Sequence, residues 1–278
     1  MKNSKKRILI VKASGEREFF SKEKLKASLR KIGVSEEILE KVAKEVEKKL
    51  KDGMTTKQIY RLAFFILKKK SPIFASKYSL KKAIFEMGPS GHPFEKLVAE
   101  IFKSQGYKVA TNKILKGFCI WHEVDVIAEN QKQIFLVECK FHHLPGIKSD
   151  AKVALYVFAR FKDIEKEWER KDKKKKLKMC LVTNTKLTKD AISFGECQKM
   201  KIIGWNYPFK NNLQELLEKN KLYPITCLTS LKKYQKVDLL KRGIIVCKKI
   251  NKKLLEKLNI PPSQTNQVLS EIKEILRK

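Results

Sequence analysis

The chain has 278 residues, 42% of them hydrophobic, and a formal net charge of +33. This length and apolar content exclude a disordered chain and predict two or three domains. No run approaches the roughly 20 apolar residues that cross a bilayer, so we expect no membrane span. The apolar stretch after the basic start is too short for a secretory signal, and six cysteines without a C-x-x-C pair predict neither a zinc site nor a disulfide framework. Both features fit a cytoplasmic protein.

The positive charge indicates the kind of partner. A strongly positive field favours a polyanion, and nucleic acid is the first candidate. Because the excess consists mainly of Lys rather than Arg, a lysine-rich composition without functional meaning is the alternative. We expect no membrane-surface binding, since no basic helix carries a bulky aromatic face.

The first part of the chain, residues 1–88, is predicted to be mostly helical. Residues 7–19 read as two short strands around a turn at Ser14-Gly15, and helical patterns follow as far as residue 86. The segment "MGPSGHP", residues 87–93, has the composition of a domain boundary.

The middle part, residues 89–210, is predicted to be an α/β core with a central mixed sheet flanked by helices. A helix near Pro93 is followed by three strands in a meander, then by two further helix–strand pairs. From residue 211 to 278 the patterns are short and helical. A glycine in "DLLKRGIIV" suggests a helix-hairpin-helix whose turn amides contact DNA phosphates, and a plain helical bundle is the alternative.

Charged residues interrupt two apolar strand patterns in the middle part. Along the strand that contains "IFLVECK", side chains alternate, so Glu138 and Lys140 share one face at its end. The preceding strand carries Asp125 in the middle of "VDVIA". Two carboxylates on adjacent strands can hold a divalent cation through oxygen ligands, and a lysine beside them can orient water or neutralise a phosphate. This set suits phosphodiester hydrolysis; the alternative is a salt bridge at the surface end of a strand.

The segments "GHPFEKLVAEIFKSQGYKV", "HEVDVIA", "IFLVECKF" and "LVTN" resemble the catalytic domain of Mrr-type restriction endonucleases, in the PD-(D/E)xK nuclease superfamily. The resemblance covers about residues 91–207. It implies an active site of Glu95, Asp125, Glu138 and Lys140. It also implies that Asp125, Glu138 and the main-chain carbonyl of Cys139 bind Mg²⁺ or Mn²⁺. Glu123 shares a strand face with Asp125 and is an alternative ligand.

The segments "ILIVKASGEREFFSKEKL", "TTKQIYRLAFFIL" and "ASKYSLKKAI" resemble the ATP-cone, a small nucleotide-binding regulatory domain. The resemblance covers about residues 7–86 and implies that Lys12 and Lys24 bind ATP or dATP. A helical domain that only supports the nuclease or a dimer is the alternative.

The remaining candidate residues are the histidines and tryptophans near the strands. We interpret His122, His142 and His143 as polar residues at the rim of a basic cleft rather than as catalytic groups. The tryptophans at 121, 168 and 205 are interpreted as core or strand-end aromatics rather than as platforms for base stacking.

The sequence therefore predicts a Mg²⁺-dependent DNA endonuclease that serves in restriction or DNA processing and is regulated by ATP or dATP. A homodimer would suit the cutting of two strands. The alternative is a non-catalytic, nucleotide-sensing DNA-binding regulator that retains a nuclease scaffold.

Overall fold

The computed structural model describes residues 7–12, 14–30, 32–171 and 175–277. In the amino-terminal part the elements are β1 (Leu9–Val11), β2 (Arg17–Phe19), α1 (Lys22–Arg30), α2 (Glu36–Lys49), α3 (Thr56–Lys70), α4 (Pro72–Tyr78) and α5 (Leu80–Phe85). The central elements are α6 (His92–Ser104), β3 (Lys108–Lys116), β4 (Trp121–Glu129), β5 (Gln133–Lys140), β6 (Lys148–Ser149), α7 (Ala151–Arg170), β7 (Lys176–Thr183), β8 (Lys186–Leu187), α8 (Lys189–Cys197) and β9 (Lys201–Ile203). The carboxy-terminal helices are α9 (Leu213–Lys219), α10 (Lys233–Lys241), α11 (Lys252–Lys257) and α12 (Pro262–Ile275), with short 3-10 turns at Ile225–Cys227 and Cys247–Lys249.

The chain forms two compact units. The first comprises Met1–Leu80, Cys227–Ser230 and Pro262–Lys278, and the second comprises Lys81–Thr226 and Leu231–Pro261. Among the described residues, no helix has the length and apolar character that a membrane crossing needs.

The first unit is mostly helical, as the sequence predicted. β1 and β2 form an antiparallel hairpin, and the apolar stripes of α1, α2 and α3 pack together into one buried cluster. α3 begins at a capping box, in which the side chain of Thr55 accepts the N–H of Gln58 while the Gln58 side chain accepts the N–H of Thr55. This exchange satisfies two amides that a helix start would otherwise leave unpaired.

The second unit contains the predicted mixed sheet, with the strand order β3-β4-β5-β7-β9. β3, β4 and β5 are antiparallel, whereas β5, β7 and β9 are parallel. Successive side chains of a strand point to opposite faces. Leu136 of β5 accordingly packs with α7, whereas Phe135 contacts Phe102 of α6 at a ring-centroid distance of 5.6 Å. α6 and α7 therefore cover opposite faces of the sheet and bury both sides of β5.

The helices of the carboxy-terminal region end in similar turns. α9, α10 and α11 are each followed by a residue with positive φ, at Lys221, Gly243 and Asn259. After α10, the N–H of Gly243 donates to Leu240 O and the N–H of Ile244 donates to Leu239 O. Because these amides are engaged within the chain, they favour the helical-bundle alternative over phosphate binding at this turn.

Candidate active site

Asp125 and Glu138 lie where β4 and β5 stop pairing. The register between the two strands ends at Val126↔Val137, although both strands continue beyond that pair. The carboxylate of Asp125 accepts the N–H of Cys139 at 2.7 Å. This side-chain hydrogen bond joins the two strands beyond the point where their backbone pairing ends. The structure thus brings together the two predicted carboxylates at one end of the strand pair.

The electrostatics of these carboxylates are those of a crowded anionic site. Burial and the negative charge of Glu138 raise the pKa of Asp125 to about 7, against the lowering effect of the Cys139 amide. Burial also raises the pKa of Glu138, opposed by the positive charges of Arg160 and Lys140. Glu95 contributes repulsion to both carboxylates. A bound cation would relieve this repulsion.

Glu95 is held in a buried polar setting. It lies in the first turn of α6 and is only 8% exposed. Its carboxylate accepts the side-chain N–H of Asn112 at 2.8 Å and lies 3.1 Å from Nδ1 of His92. Asn112 adopts a φ of 51° in β3, a conformation that Asn tolerates better than most residues. Asn112 and His92 were not among the predicted site residues; an Asn inside a strand pattern was the available signal.

Arg160 is the main addition that the structure makes to the predicted site. Its guanidinium donates to Glu138 at 2.7 Å and stacks over the ring of Tyr156, 5.2 Å from the ring centroid. Both members of the ion pair are largely buried, with side-chain exposures of 16% and 23%. Arg160 lies three residues after Val157 and four before Ile164, which are buried in the face of α7 that packs on the sheet. A cation within an apolar helical stripe was the signal that sequence analysis could have used.

Lys140 ends β5 and is exposed to solvent. Within the part of the chain that the structure describes, its ammonium has no hydrogen bond or ion pair, and its charge acts on Glu138 two residues earlier. Lys140 is therefore available to an incoming anion. Glu123 is also exposed and lines the same recess as Glu138 and Arg160, so it remains an alternative ligand.

A buried polar network fixes the chain just beyond Lys140. The side chain of Asn184 accepts the N–H of His142 at 2.9 Å and donates to the carbonyl of His142 at 2.8 Å. The His142 ring lies 3.0 Å from the hydroxyl of Ser149, which is 1% exposed. Burial and the nearby Lys140 lower the pKa of His142, which favours its neutral form. These contacts hold His142 in place beside the site; its interpretation as non-catalytic stays a prediction.

The donors in this site are carboxylate and carbonyl oxygens, which suit Mg²⁺ or Mn²⁺ rather than zinc. Among the described residues, no group of three or more His, Cys, Asp and Glu side chains is arranged to hold a metal ion. The predicted set of two carboxylates and one main-chain carbonyl does not require such a group. It fits a hard cation whose remaining positions go to water or phosphate.

The lysines of the predicted nucleotide site lie together in the first unit. Nζ of Lys12 and Nζ of Lys24 are 3.1 Å and 2.9 Å from the same oxygen of Glu18 on β2. Lys12 also contacts Glu16 at 3.1 Å. The two cations therefore converge on one point that a carboxylate occupies in this structure.

Comparison with known families confirms both resemblances. Residues 8–84 match the ATP cone domain, residues 88–207 match the restriction endonuclease family of Mrr type, and residues 223–276 match the AF1548-like C-terminal family. An uncharacterized protein of Archaeoglobus fulgidus is 31% identical over 187 residues, covering 64% of this chain and 99% of that protein.

Two solved structures are similar to this chain to different degrees. The crystal structure of AF1548, a protein of unknown function, is 30% identical and covers 67% of this chain and 98% of its own chain, with a TM-score of 0.56. The MspJI restriction endonuclease in complex with a 27-mer oligonucleotide is 12% identical, covers 59% of this chain and 40% of its own chain, and has a TM-score of 0.32; this likeness is too small to bear on function. The chain belongs to the AF1548-like family and carries an ATP-cone domain followed by a restriction-endonuclease domain.

Proposed function

We propose that the protein is a Mg²⁺- or Mn²⁺-dependent DNA endonuclease of the cytoplasm whose activity is regulated by ATP or dATP. The observation that carries this proposal is the convergence of Asp125 and Glu138 at the diverging ends of β4 and β5, with Lys140 two residues further along the strand. The restriction-endonuclease domain around these residues supports the same reaction class.

Each residue has a distinct part in the proposed reaction. Asp125, Glu138 and the carbonyl of Cys139 would hold the cation, which when bound offsets the negative charge of the phosphate. The exposed ammonium of Lys140 orients the attacking water and balances charge that develops on the scissile phosphate. Arg160 opposes the effect of burial on the pKa of Glu138 and fixes its carboxylate through the 2.7 Å hydrogen bond.

Glu95 supports the site from the other side of the sheet. Its hydrogen bond with Asn112 ties the first turn of α6 to β3, and its charge adds to the negative potential that attracts a cation. We assign it a positioning role within the active site.

The first unit supplies the proposed regulation. The ammonium groups of Lys12 and Lys24 contact the same oxygen of Glu18. They are therefore close enough together to bind the phosphates of one nucleotide. ATP or dATP would replace Glu18 as their partner. A homodimer would place two nuclease sites on the two strands of a duplex.

A non-catalytic, nucleotide-sensing DNA-binding regulator is the second candidate. The observation that favours it is the Arg160–Glu138 pair, because a guanidinium already neutralises one of the proposed metal ligands. Metal binding separates the two candidates. Calorimetric titration with Mn²⁺ should show binding that Glu138→Ala abolishes, while a protein that binds no metal and cuts no DNA would support the regulator.

The experiment that tests the proposal is cleavage of supercoiled plasmid with Mg²⁺, with and without ATP and dATP. The unaltered protein should convert plasmid to nicked and linear forms, and Asp125→Ala should not. Cutting by the variant at the rate of the unaltered protein would refute the site.

A further inference from the structure

The hairpin between β3 and β4 ends in a tip that is fixed against α7. The carboxylate of Asp163 accepts the N–H groups of Cys119 and Ile120 at 2.8 Å and 3.3 Å, and its main-chain carbonyl accepts the N–H of Phe118 at 2.9 Å. A Cβ at Gly117 would collide with the same carboxylate. The conformation of the tip is therefore fixed before a ligand binds, and binding costs little conformational entropy there.

This rigid tip exposes large apolar side chains. Phe118 is 47% exposed, Ile120 is 62% exposed and Trp121 is 65% exposed. Ile114, on the neighbouring strand, is 67% exposed. Single exposed apolar residues are ordinary, but four such residues within eight positions of one hairpin, on a fixed support, mark an interaction surface.

The register of the hairpin connects this surface to the active site. Trp121 pairs with Lys116, and Glu123 pairs with Ile114. His122 and Val124 face α7, so Trp121 and Glu123, which alternate with them, share the opposite face of β4 and lead along the strand towards Asp125. Trp121 lies four positions before Asp125, a distance of about 13 Å along an extended strand. At about 3.4 Å per nucleotide of a stacked strand, a nucleic acid held at Asp125 would therefore reach the indole within about four nucleotides.

The charges around the tip favour nucleic acid over a second copy of this chain. Lys113, Lys116 and Lys166 are exposed around the hairpin, and Nζ of Lys166 lies 3.7 Å from the centroid of the Phe118 ring. In a symmetric dimer through this surface, lysines of one copy would face those of the other. A polyanion would instead neutralise them. An exposed indole surrounded by cations is the combination that binds unpaired bases, since only an unstacked base offers a free ring face.

We propose that Trp121 stacks on an unpaired base of the DNA strand whose phosphodiester lies at Asp125 and Glu138. This inference rests on the proposed nuclease function and specifies its substrate class. The protein acts on DNA that carries unpaired bases within a few nucleotides of the cleaved bond, such as a single strand, a flap or a mismatch. This assignment revises the interpretation of Trp121 as a strand-end aromatic without a binding role.

The test compares the binding of a labelled single strand and of a fully paired duplex of equal length, by anisotropy without divalent metal. Trp121→Ala should raise the dissociation constant for the single strand about tenfold, the value of one lost stacking contact, and should change that for the duplex by less than about twofold. Trp121→Phe should restore most of the single-strand affinity. Phe209→Ala, which removes an aromatic side chain that is 88% exposed elsewhere in the second unit, should change neither constant.

A second measurement does not depend on the alanine variant. Intrinsic tryptophan emission of the unaltered protein should be quenched by oligothymidine, and Trp121→Phe should remove that quenching. The stacking inference would be overturned, and the nuclease proposal left intact, if Trp121→Ala lost affinity equally for both DNA forms. Unchanged single-strand affinity of Trp121→Ala, or unchanged quenching in Trp121→Phe, would have the same meaning. An unaltered protein that binds neither DNA form would overturn the proposed function and this inference with it.

Discussion

Asp125→Asn should stabilise the metal-free protein while it abolishes cleavage. The carboxylate of Asp125 is partly buried, faces Glu138, and has a pKa raised to about 7. The free energy of ionising Asp125 is therefore higher in the folded protein than in the unfolded chain. Asn has the same shape, retains an oxygen that can accept the N–H of Cys139, and carries no charge, so the substitution removes the repulsion and keeps the hydrogen bond.

The size of the effect follows from the change in pKa. The pKa rises from 3.8 to about 7, and each unit corresponds to about 1.4 kcal/mol, which gives an upper limit of about 4 kcal/mol. Partial exposure of the side chain reduces this to about 2 kcal/mol. In a domain of this size, that free energy corresponds to a rise in Tm of about 4–8 °C.

The pH dependence has a definite sign. At pH values between 3.8 and 7, the folded state of the unaltered protein binds more protons at Asp125 than the unfolded state, so its stability falls as the pH rises through this window. Asp125→Asn lacks this dependence. Its advantage in Tm should be small near the low end of the window and should reach its full value above pH 7.

The assay is thermal unfolding in EDTA across this pH range, with Asp163→Asn as the control. Burial raises the pKa of Asp163, but the hydrogen bonds from the N–H groups of Cys119 and Ile120 and from the ring of His122 lower it by more. The net pKa therefore lies below that of a free Asp. The control variant should therefore lose stability at neutral pH. Asp125→Asn with a Tm equal to or below that of the unaltered protein at pH 8 would refute the electrostatic account of this site.

Two further predictions concern cations held by carboxylates. Arg160→Met should lower stability in EDTA by about 3 kcal/mol, the low end of the range for a broken buried pair, because it leaves Glu138 largely buried without its partner. Added Mg²⁺ should then raise the Tm of this variant more than that of the unaltered protein, and an equal rise would contradict competition between Arg160 and the metal. Glu18→Gln should tighten ATP binding about threefold in calorimetry, because it removes a negative charge shared by Lys12 and Lys24; unchanged or weaker binding would count against a phosphate site at these lysines.

The site residues on the strands were predictable because the period of two along a strand determines the face on which each side chain lies. Once "IFLVECK" is assigned as a strand, Glu138 and Lys140 must share a face, and the short turn after β4 places Asp125 beside them. Family comparison supports the domain that contains these residues. The assignment of catalytic roles stays a prediction.

The partners of the supporting residues were not predictable, even where a residue such as Arg160 stood out in its local pattern, since these contacts join segments far apart in the chain. Arg160 meets Glu138 across 22 positions and Asn184 meets His142 across 42. No local period specifies such pairs. The exposure of Trp121 likewise depends on tertiary structure, because the residue lies at the start of β4 next to the hairpin tip, where nothing in the described chain covers its ring. Sequence alone favoured a packed aromatic because most tryptophans are largely buried.

The central claim is that the site of Asp125, Glu138 and Lys140 hydrolyses DNA. Its most direct test uses the Lys140→Ala protein and measures two quantities: the rate at which it cleaves plasmid with Mg²⁺ and its affinity for the same DNA. Lys132→Ala serves as a matched control, because it removes an exposed lysine from the turn between β4 and β5 at the other end of the strand pair. The account predicts that Lys140→Ala binds DNA but cuts at least about 100-fold more slowly, whereas Lys132→Ala cuts normally. Equal cutting by both variants would contradict it.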